Sequence, residues 1–499
     1  MLNYIIIVNR AILRNTLAFL ITAVWLVMMF LLLDRHYFPS FGLPSLGRSS
    51  CGSNSTFPPL SISAITPGED WMGVYFKGDR IGSLHRVLQK EESGYRLAET
   101  MHLLLTIMDY KKEVDTVTNA EMNSNLGLKS FNFTLRADAP FHVSGKVDGS
   151  KLTVTIEALG RKSESSLTLA ERPSFNIPMA AKLLSNNIRP GLKRTATIFD
   201  PSSMKQQRIE LEVIGDEIIE AMGQSRKAHK IKGSLMSSDF FVWISDSGEV
   251  LREESPLGFV LIKETADDSR KIQSSRDMAV QSAVPFHMKL PDVVSYLKVR
   301  ISGTDIRQLD LDGGRQHFTG DILEVRREDI SSVSRKQEGM VSDEYLKDTF
   351  FIASRSAKII ALAKDIVKDK KDPLKKARLI NEWVFRNIEK VPAVTLPVAD
   401  EVLDKRRGDC NEHTTLFTAL ARAAGVPARM ALGLVYASGS FYYHAWPEIY
   451  AGRWIAVDPT LGQFPADASH IRLITGDIDK QGRLMALLGK IKLEGIEYQ

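Results

Sequence analysis

The stretch RGDCNEHTTLFTALARAAGVPAR, Arg407 to Arg429, decides how this chain reads. Asp409 followed three residues later by Glu412 is a capping-box pattern with Asp in the Ser/Thr place, so a helix starts at Cys410. Gly425, with Pro427 just beyond, stops that helix near Ala424. Cys410 therefore falls in the first turn, where unpaired N–H groups and the positive end of the dipole favour a thiolate. A free cysteine is commonly a small buried hydrophobe, but a core residue has no need of Gly408-Asp409 before a helix start.

A thiolate needs a base, and the next segment offers one. FYYHAWPEIYAGRWIAVDPT, Phe441 to Thr460, is a hairpin with strong strand formers on both arms. A two-residue loop, Ala451-Gly452, would pair Tyr450 with Arg453 and turn Asp458 away from His444. A three-residue loop, Tyr450-Ala451-Gly452, places glycine in the left-handed third position and pairs Ile449 with Arg453. His444 then stands directly opposite Asp458, on the same face. Glu448 and Asp467 are the nearest alternative carboxylates, and Glu448 shares the His444 face by strand alternation. Cysteine, base and orienting acid are the three roles of covalent acyl transfer.

Four blocks stand in order: Gly408-Asp409-Cys410, Gly425-Val426-Pro427-Ala428-Arg429, His444-Ala445-Trp446 and Trp454-Ile455-Ala456-Val457-Asp458-Pro459-Thr460. In this the segment from about 345 to 480 resembles the transglutaminase-like superfamily of cysteine enzymes. The resemblance implies a papain-like α+β core and a catalytic triad of Cys410, His444 and Asp458. Members of that superfamily crosslink proteins, hydrolyse peptides or other amides, or have lost activity. The Cys410 backbone N–H is the one oxyanion donor the motif supplies, and Trp383, upstream on a core helix face, is not assigned. His413 follows Cys410 by three residues. Cys410, His413 and His444 are zinc-type ligands, but no fourth has the spacing, so no metal and no cofactor is expected.

The remaining chain divides by composition. Residues 1–16 form a short N-terminus carrying Arg10 and Arg14, and Leu17 to Leu33 is an uncharged run at the short end of a membrane span. No A-x-A-like cleavage site follows, so the expectation is a retained single-pass anchor with the N-terminus cytoplasmic. Residues 34–68, rich in Ser, Gly and Pro, read as a flexible linker, and Cys51 within it as an incidental thiol. Residues 69–275 read as an antiparallel β domain of alternating strands with hairpin turns at Lys77-Gly78 and Asp148-Gly149, interrupted by a short helix at Pro178 to Asn187. Its histidines, His85, His102, His142 and His229, show no catalytic spacing. Residues 276–340 form a smaller β unit. The catalytic domain spans 341–499 and opens with helices over Thr349–Lys368 and Pro373–Glu389, the second capped by Asp372.

The chain has 499 residues, room for about three domains. A 44 % apolar and 25 % charged composition excludes a largely disordered chain and a multi-span transporter. A net charge of +5 over this length is too weak a field for nucleic acid as the main partner. Two cysteines exclude a disulfide scaffold. The fold class is thus α+β: a C-terminal papain-like transglutaminase core behind a large antiparallel β domain and an N-terminal transmembrane helix. The function expected is acyl transfer on amide bonds of a protein or peptide substrate, from an inner-membrane protein whose C-terminal domains lie in the periplasm or outside. The other reading is a catalytically silent peptide-binding or scaffold module of the envelope. Residues 68–499 made alone are expected to be soluble and folded; recovery only in detergent would sink the single-anchor reading.

Overall fold

In a computed structural model of the chain, the residues described are 67–499 apart from 159, 170, 176–187, 201–204, 236–237, 256–257, 272–275, 305, 333–341, 477–486 and 488. The apolar run 17–33, nearly all of the linker with Cys51, and the helix expected at Pro178–Asn187 lie outside the described residues. Among the described residues no helix is long and apolar enough to cross a membrane.

Alternation of apolar and polar residues between Trp71 and Glu264 makes one antiparallel sheet of fourteen strands. Eight strands meander from Gly68–Phe76 to Arg161–Thr168, and six more from Lys193–Asp200 to Phe259–Glu264. The two meanders join where Gly68–Phe76 pairs with Phe259–Glu264, with Trp71 opposite Glu264. Lys77 and Gly78 both take positive φ in the first hairpin, as a two-residue turn between twisted strands requires. One face is apolar, with Met72, Val74, Leu84, Leu97, Leu103 and Val114 buried. A charged row crosses that face: Arg86 donates to Glu99 and to Glu253, both at 2.7 Å. This domain touches the C-terminal one through Asp138, which accepts from the Val394 N–H at 2.7 Å, and through Arg161, 3.1 Å from Asp400.

The described residues after Glu264 hold two smaller antiparallel sheets and a two-stranded parallel pair. One joins Val284–Pro285, Ser440–Tyr450, Ala428–Ala437 and Ile471–Thr475, with Trp454–Ala456 paired on the Ser440–Tyr450 strand. The other joins Gln316–Thr319, Ile322–Arg326, Tyr296–Ser302 and Lys492–Tyr498. The helix Cys410–Ala423 packs on the first sheet, and the helices Ala357–Val367, Pro373–Asn387 and Ala399–Lys405 pack on that helix. The helix expected from Thr349 starts instead at Ala357, because Ala353 takes φ 49° and breaks the turn before it. The helix expected to reach Glu389 stops at Asn387, because Glu389–Lys390 pairs in parallel with Arg407–Gly408.

Gly433 lies in the middle of the first sheet, opposite His444 on one side and Arg472 on the other. A β-carbon there would collide with the Ile471 carbonyl oxygen and crowd the Trp446 ring at 2.9 Å. A backbone clash has no rotamer to relieve it. Gly433→Val is therefore expected to lower the unfolding free energy by about 3 kcal/mol or more, read as a fall in the melting midpoint.

Candidate active site

The helix over Cys410–Ala423 begins with the full capping box. Asp409 Oδ1 accepts from the Asn411 N–H at 2.7 Å, and Glu412 Oε2 accepts from the Asp409 N–H at 2.8 Å. The other Glu412 oxygen accepts from the Thr395 hydroxyl. Glu412 folds back so closely that any β-carbon on residue 408 would collide with it, which explains the glycine before Asp409-Cys410. Every residue from Cys410 to Arg422 is buried. Burial pushes the Cys410 thiol well above its ordinary pKa, with Asp409 and Glu412 adding to the rise, while the Ala445 N–H beside the sulfur works the other way. Burial thus works against the thiolate that the helix start favours.

His444 lies on the Ser440–Tyr450 strand, which the cysteine helix grips through Thr414, whose hydroxyl donates to the Ala445 carbonyl at 3.1 Å. Its Nε2 is 2.7 Å from Asp458 Oδ2. Its Nδ1 is buried and has no hydrogen-bond partner among the described residues. Asp458 Oδ1 accepts from the Thr460 and Leu461 N–H groups at 2.7 and 2.9 Å. Burial works to raise the Asp458 pKa, yet His444 and His470 hold it far below the usual carboxylate range. The hairpin register differs from both expected ones. Tyr450 pairs with Trp454 and Glu448 with Ala456, so the loop is Ala451-Gly452-Arg453, with Gly452 at φ 86° in its middle. The shift from the three-residue expectation is two residues, which preserves the face, and strand pairing ends at Ala456. Asp458 reaches His444 from the turn that follows. Glu448 is committed elsewhere, 2.6 Å from Arg429 and 3.3 Å from Arg472.

Two further groups complete the cluster. His470, fully buried, places Nε2 2.9 Å from the same Asp458 Oδ2 and Nδ1 3.3 Å from Asp467 Oδ1. It precedes the Ile471–Thr475 strand and lies outside all four sequence blocks; Asp467, three residues earlier, was the one hint. His413 does not join them. Its Nδ1–H donates to the Asp409 carbonyl at 2.6 Å, and burial lowers its pKa to about 4. The ligand-type atoms of His444, Asp458 and His470 lie within 4.8 Å of one another. They are engaged with each other as donors and acceptor, as in a hydrogen-bond chain. Cys410, His444 and Asp458 are each 1 % exposed or less. A cleft of about 400 Å³ opens beside the start of the cysteine helix, lined by Asp138, Val391, Thr395, Arg407, Gly408 and Glu412 among others.

Residues 360–459 match the family model described as the transglutaminase-like superfamily. The C-terminal domain of this chain therefore carries a transglutaminase-like core. An uncharacterized protein of Haemophilus influenzae is 38 % identical over 97 residues, 18 % of this chain and 26 % of that protein. The chain thus spans about a quarter of the length of this curated relative. Among solved structures, a candidate cysteine protease from Cytophaga hutchinsonii is similar over 41 % of this chain and 85 % of its own, at 16 % identity and a TM-score of 0.26. A β-barrel-like protein of unknown function from Brucella abortus is similar over 40 % of this chain and 96 % of its own, at 11 % identity and a TM-score of 0.31. A candidate protease from Parabacteroides distasonis is similar over 64 % of this chain and 63 % of its own, at 11 % identity and a TM-score of 0.18.

The neutral, buried His413 makes the fold acid-sensitive. The unfolded chain takes up its proton near pH 6.5, whereas the native state resists until about 4. The stability this confers is complete above pH 6.5 and is lost as pH falls through 4, a change of up to about 3 kcal/mol. His413→Gln is expected to flatten the dependence of unfolding free energy on pH between 6.5 and 4. An unchanged slope would assign the sensitivity to another group.

Proposed function

We propose that this chain is a membrane-anchored cysteine enzyme performing acyl transfer on amide bonds, with Cys410 as nucleophile, His444 as base and Asp458 as the acid that orients it. One observation carries the reading. The 2.7 Å bond from Asp458 to His444 Nε2 fixes the imidazole tautomer and leaves a bare, buried Nδ1 on the strand against which the Cys410 sulfur packs. His444 Nδ1 takes the thiol proton as sulfur adds to the substrate carbonyl, and the Cys410 N–H faces the developing oxyanion. Collapse expels the amine with the proton from His444 and leaves a thioester. Water or a second amine then releases the acyl group. The high thiol pKa fits this order, because the sulfur loses its proton during attack and not before.

The substrate in this reading is a protein or peptide near the membrane surface. Residues 17–33 tether the enzyme, with its C-terminal domains in the periplasm or outside. The competing reading, a silent peptide-binding module, draws on the closed site, since Cys410 is 0 % exposed. Cys410→Ala should abolish turnover on an amide substrate, with or without an amine donor, and keep the fold. Cys51→Ala should change neither. Asp458→Asn should reduce turnover by up to about four orders of magnitude, by analogy with the serine triad. A nearly silent Asp458→Asn would remove Asp458 from the triad, and an inert Cys410 towards thiol probes would favour the silent module.

A further inference from the structure

The mechanism above leaves His470 unused. Both of its ring nitrogens face carboxylates, Nε2 towards Asp458 and Nδ1 towards Asp467. An ionised carboxylate only accepts, and a neutral imidazole carries one N–H and one lone pair. Two carboxylate partners therefore call for two N–H groups, unless one acid keeps its proton. Neither has room to. Asp458 is surrounded by four donors, the Thr460 and Leu461 N–H groups and the two imidazoles. Asp467 Oδ1 also accepts from the Ser469 N–H at 2.9 Å and the Ser469 hydroxyl at 2.6 Å, and its Oδ2 from the Gln463 amide at 3.3 Å.

We propose that His470 is a standing imidazolium behind the triad, a positioning residue that holds Asp458 in place and shares its charge with His444. Burial alone would lower the His470 pKa, and the two carboxylates more than offset it. The other charged groups around it are already matched or lie on its partners. Arg315 donates to the Ala466 and Asp467 carbonyls and pairs with Glu328 at 3.2 Å. Arg472, two residues along, pairs with Glu448. Lys390 interacts electrostatically with Asp458. His444 itself has its ring centre 5.7 Å from that of His470. A positive charge on His470 offsets the negative charge by which Asp458 opposes ionisation of the Cys410 thiol. His470 then sets the pH range in which Cys410 is reactive. This consequence rests on the triad reading, whereas the protonation state does not.

The test uses the full chain carrying Cys51→Ser, so that Cys410 is the one thiol. Imidazole nitrogen NMR, assigned by loss of the signal in His470→Gln, should show both His470 nitrogens protonated at pH 7. Iodoacetamide alkylation of Cys410 against pH is the second readout. In His470→Gln the amide can still reach Asp458 but carries no charge. Alkylation speeds up with pH as the Cys410 thiol ionises, and loss of the positive charge beside Asp458 should move that rise up by about one pH unit. A neutral His470 at pH 7 overturns the proposal, and so does an unmoved rise in a folded His470→Gln protein. If the triad reading is what fails, His444→Gln leaves the alkylation profile of Cys410 unchanged while the NMR result still decides the charge of His470.

Discussion

The Asp458 carboxylate is a negative charge with no exposure to water, and the architecture around it answers the cost of that burial. Taking such an ion out of water costs several kcal/mol unless hydrogen bonds replace its hydration. Here two main-chain N–H groups of the following turn hold one oxygen and two imidazoles hold the other. The four donors come from three local elements: the turn after the Trp454–Ala456 strand, the Ser440–Tyr450 strand, and the residue just before the Ile471–Thr475 strand. The sheet that aligns those strands is therefore what makes the buried ion tolerable. The glycine at 433, between His444 and Arg472, lets the three strands approach closely enough for this.

The cysteine shows two opposed effects of different size. A helix N-terminus is worth about 0.3–1 kcal/mol to a nearby anion. Burial costs an unpaired anion several kcal/mol, and Asp409 and Glu412 oppose a thiolate further. Burial is the larger effect and works against the thiolate. The same capping box that starts the helix supplies the two acids, so the feature that positions Cys410 also suppresses its ionisation at rest.

The helix start, its glycine stop and the apposition of His444 with Asp458 were legible because each rests on local chemistry: a cap, a left-handed stop, a strand alternation. The fourteen-strand sheet was legible as strands but not as an order of strands, since Trp71 meets Glu264 only through long-range pairing. The hairpin register was misread because two loops containing the same Ala451-Gly452 differ by main-chain geometry that residue types do not specify. Parity survived the error, so the right side chains still met. Burial of the thiol was invisible from Cys410 outward, because it depends on what packs over the helix. His470 was missed for a related reason: its partners, Asp458 and Asp467, are set by the fold of the loop between them, and a single histidine has no period to betray it.

One consequence follows from the pairing of Lys492–Tyr498 with Tyr296–Ser302. Leu297 stands opposite Tyr498, so the whole transglutaminase-like segment is an insertion between two neighbouring strands of one small sheet. Its two ends are clamped side by side. A single proteolytic cut between those strands would leave both fragments hydrogen-bonded to each other across the sheet, and a nicked protein could run as two bands on a denaturing gel while remaining one particle in solution. The same closure resists piecemeal unravelling, because the segment cannot be drawn out from either end without first parting the strands that enclose it.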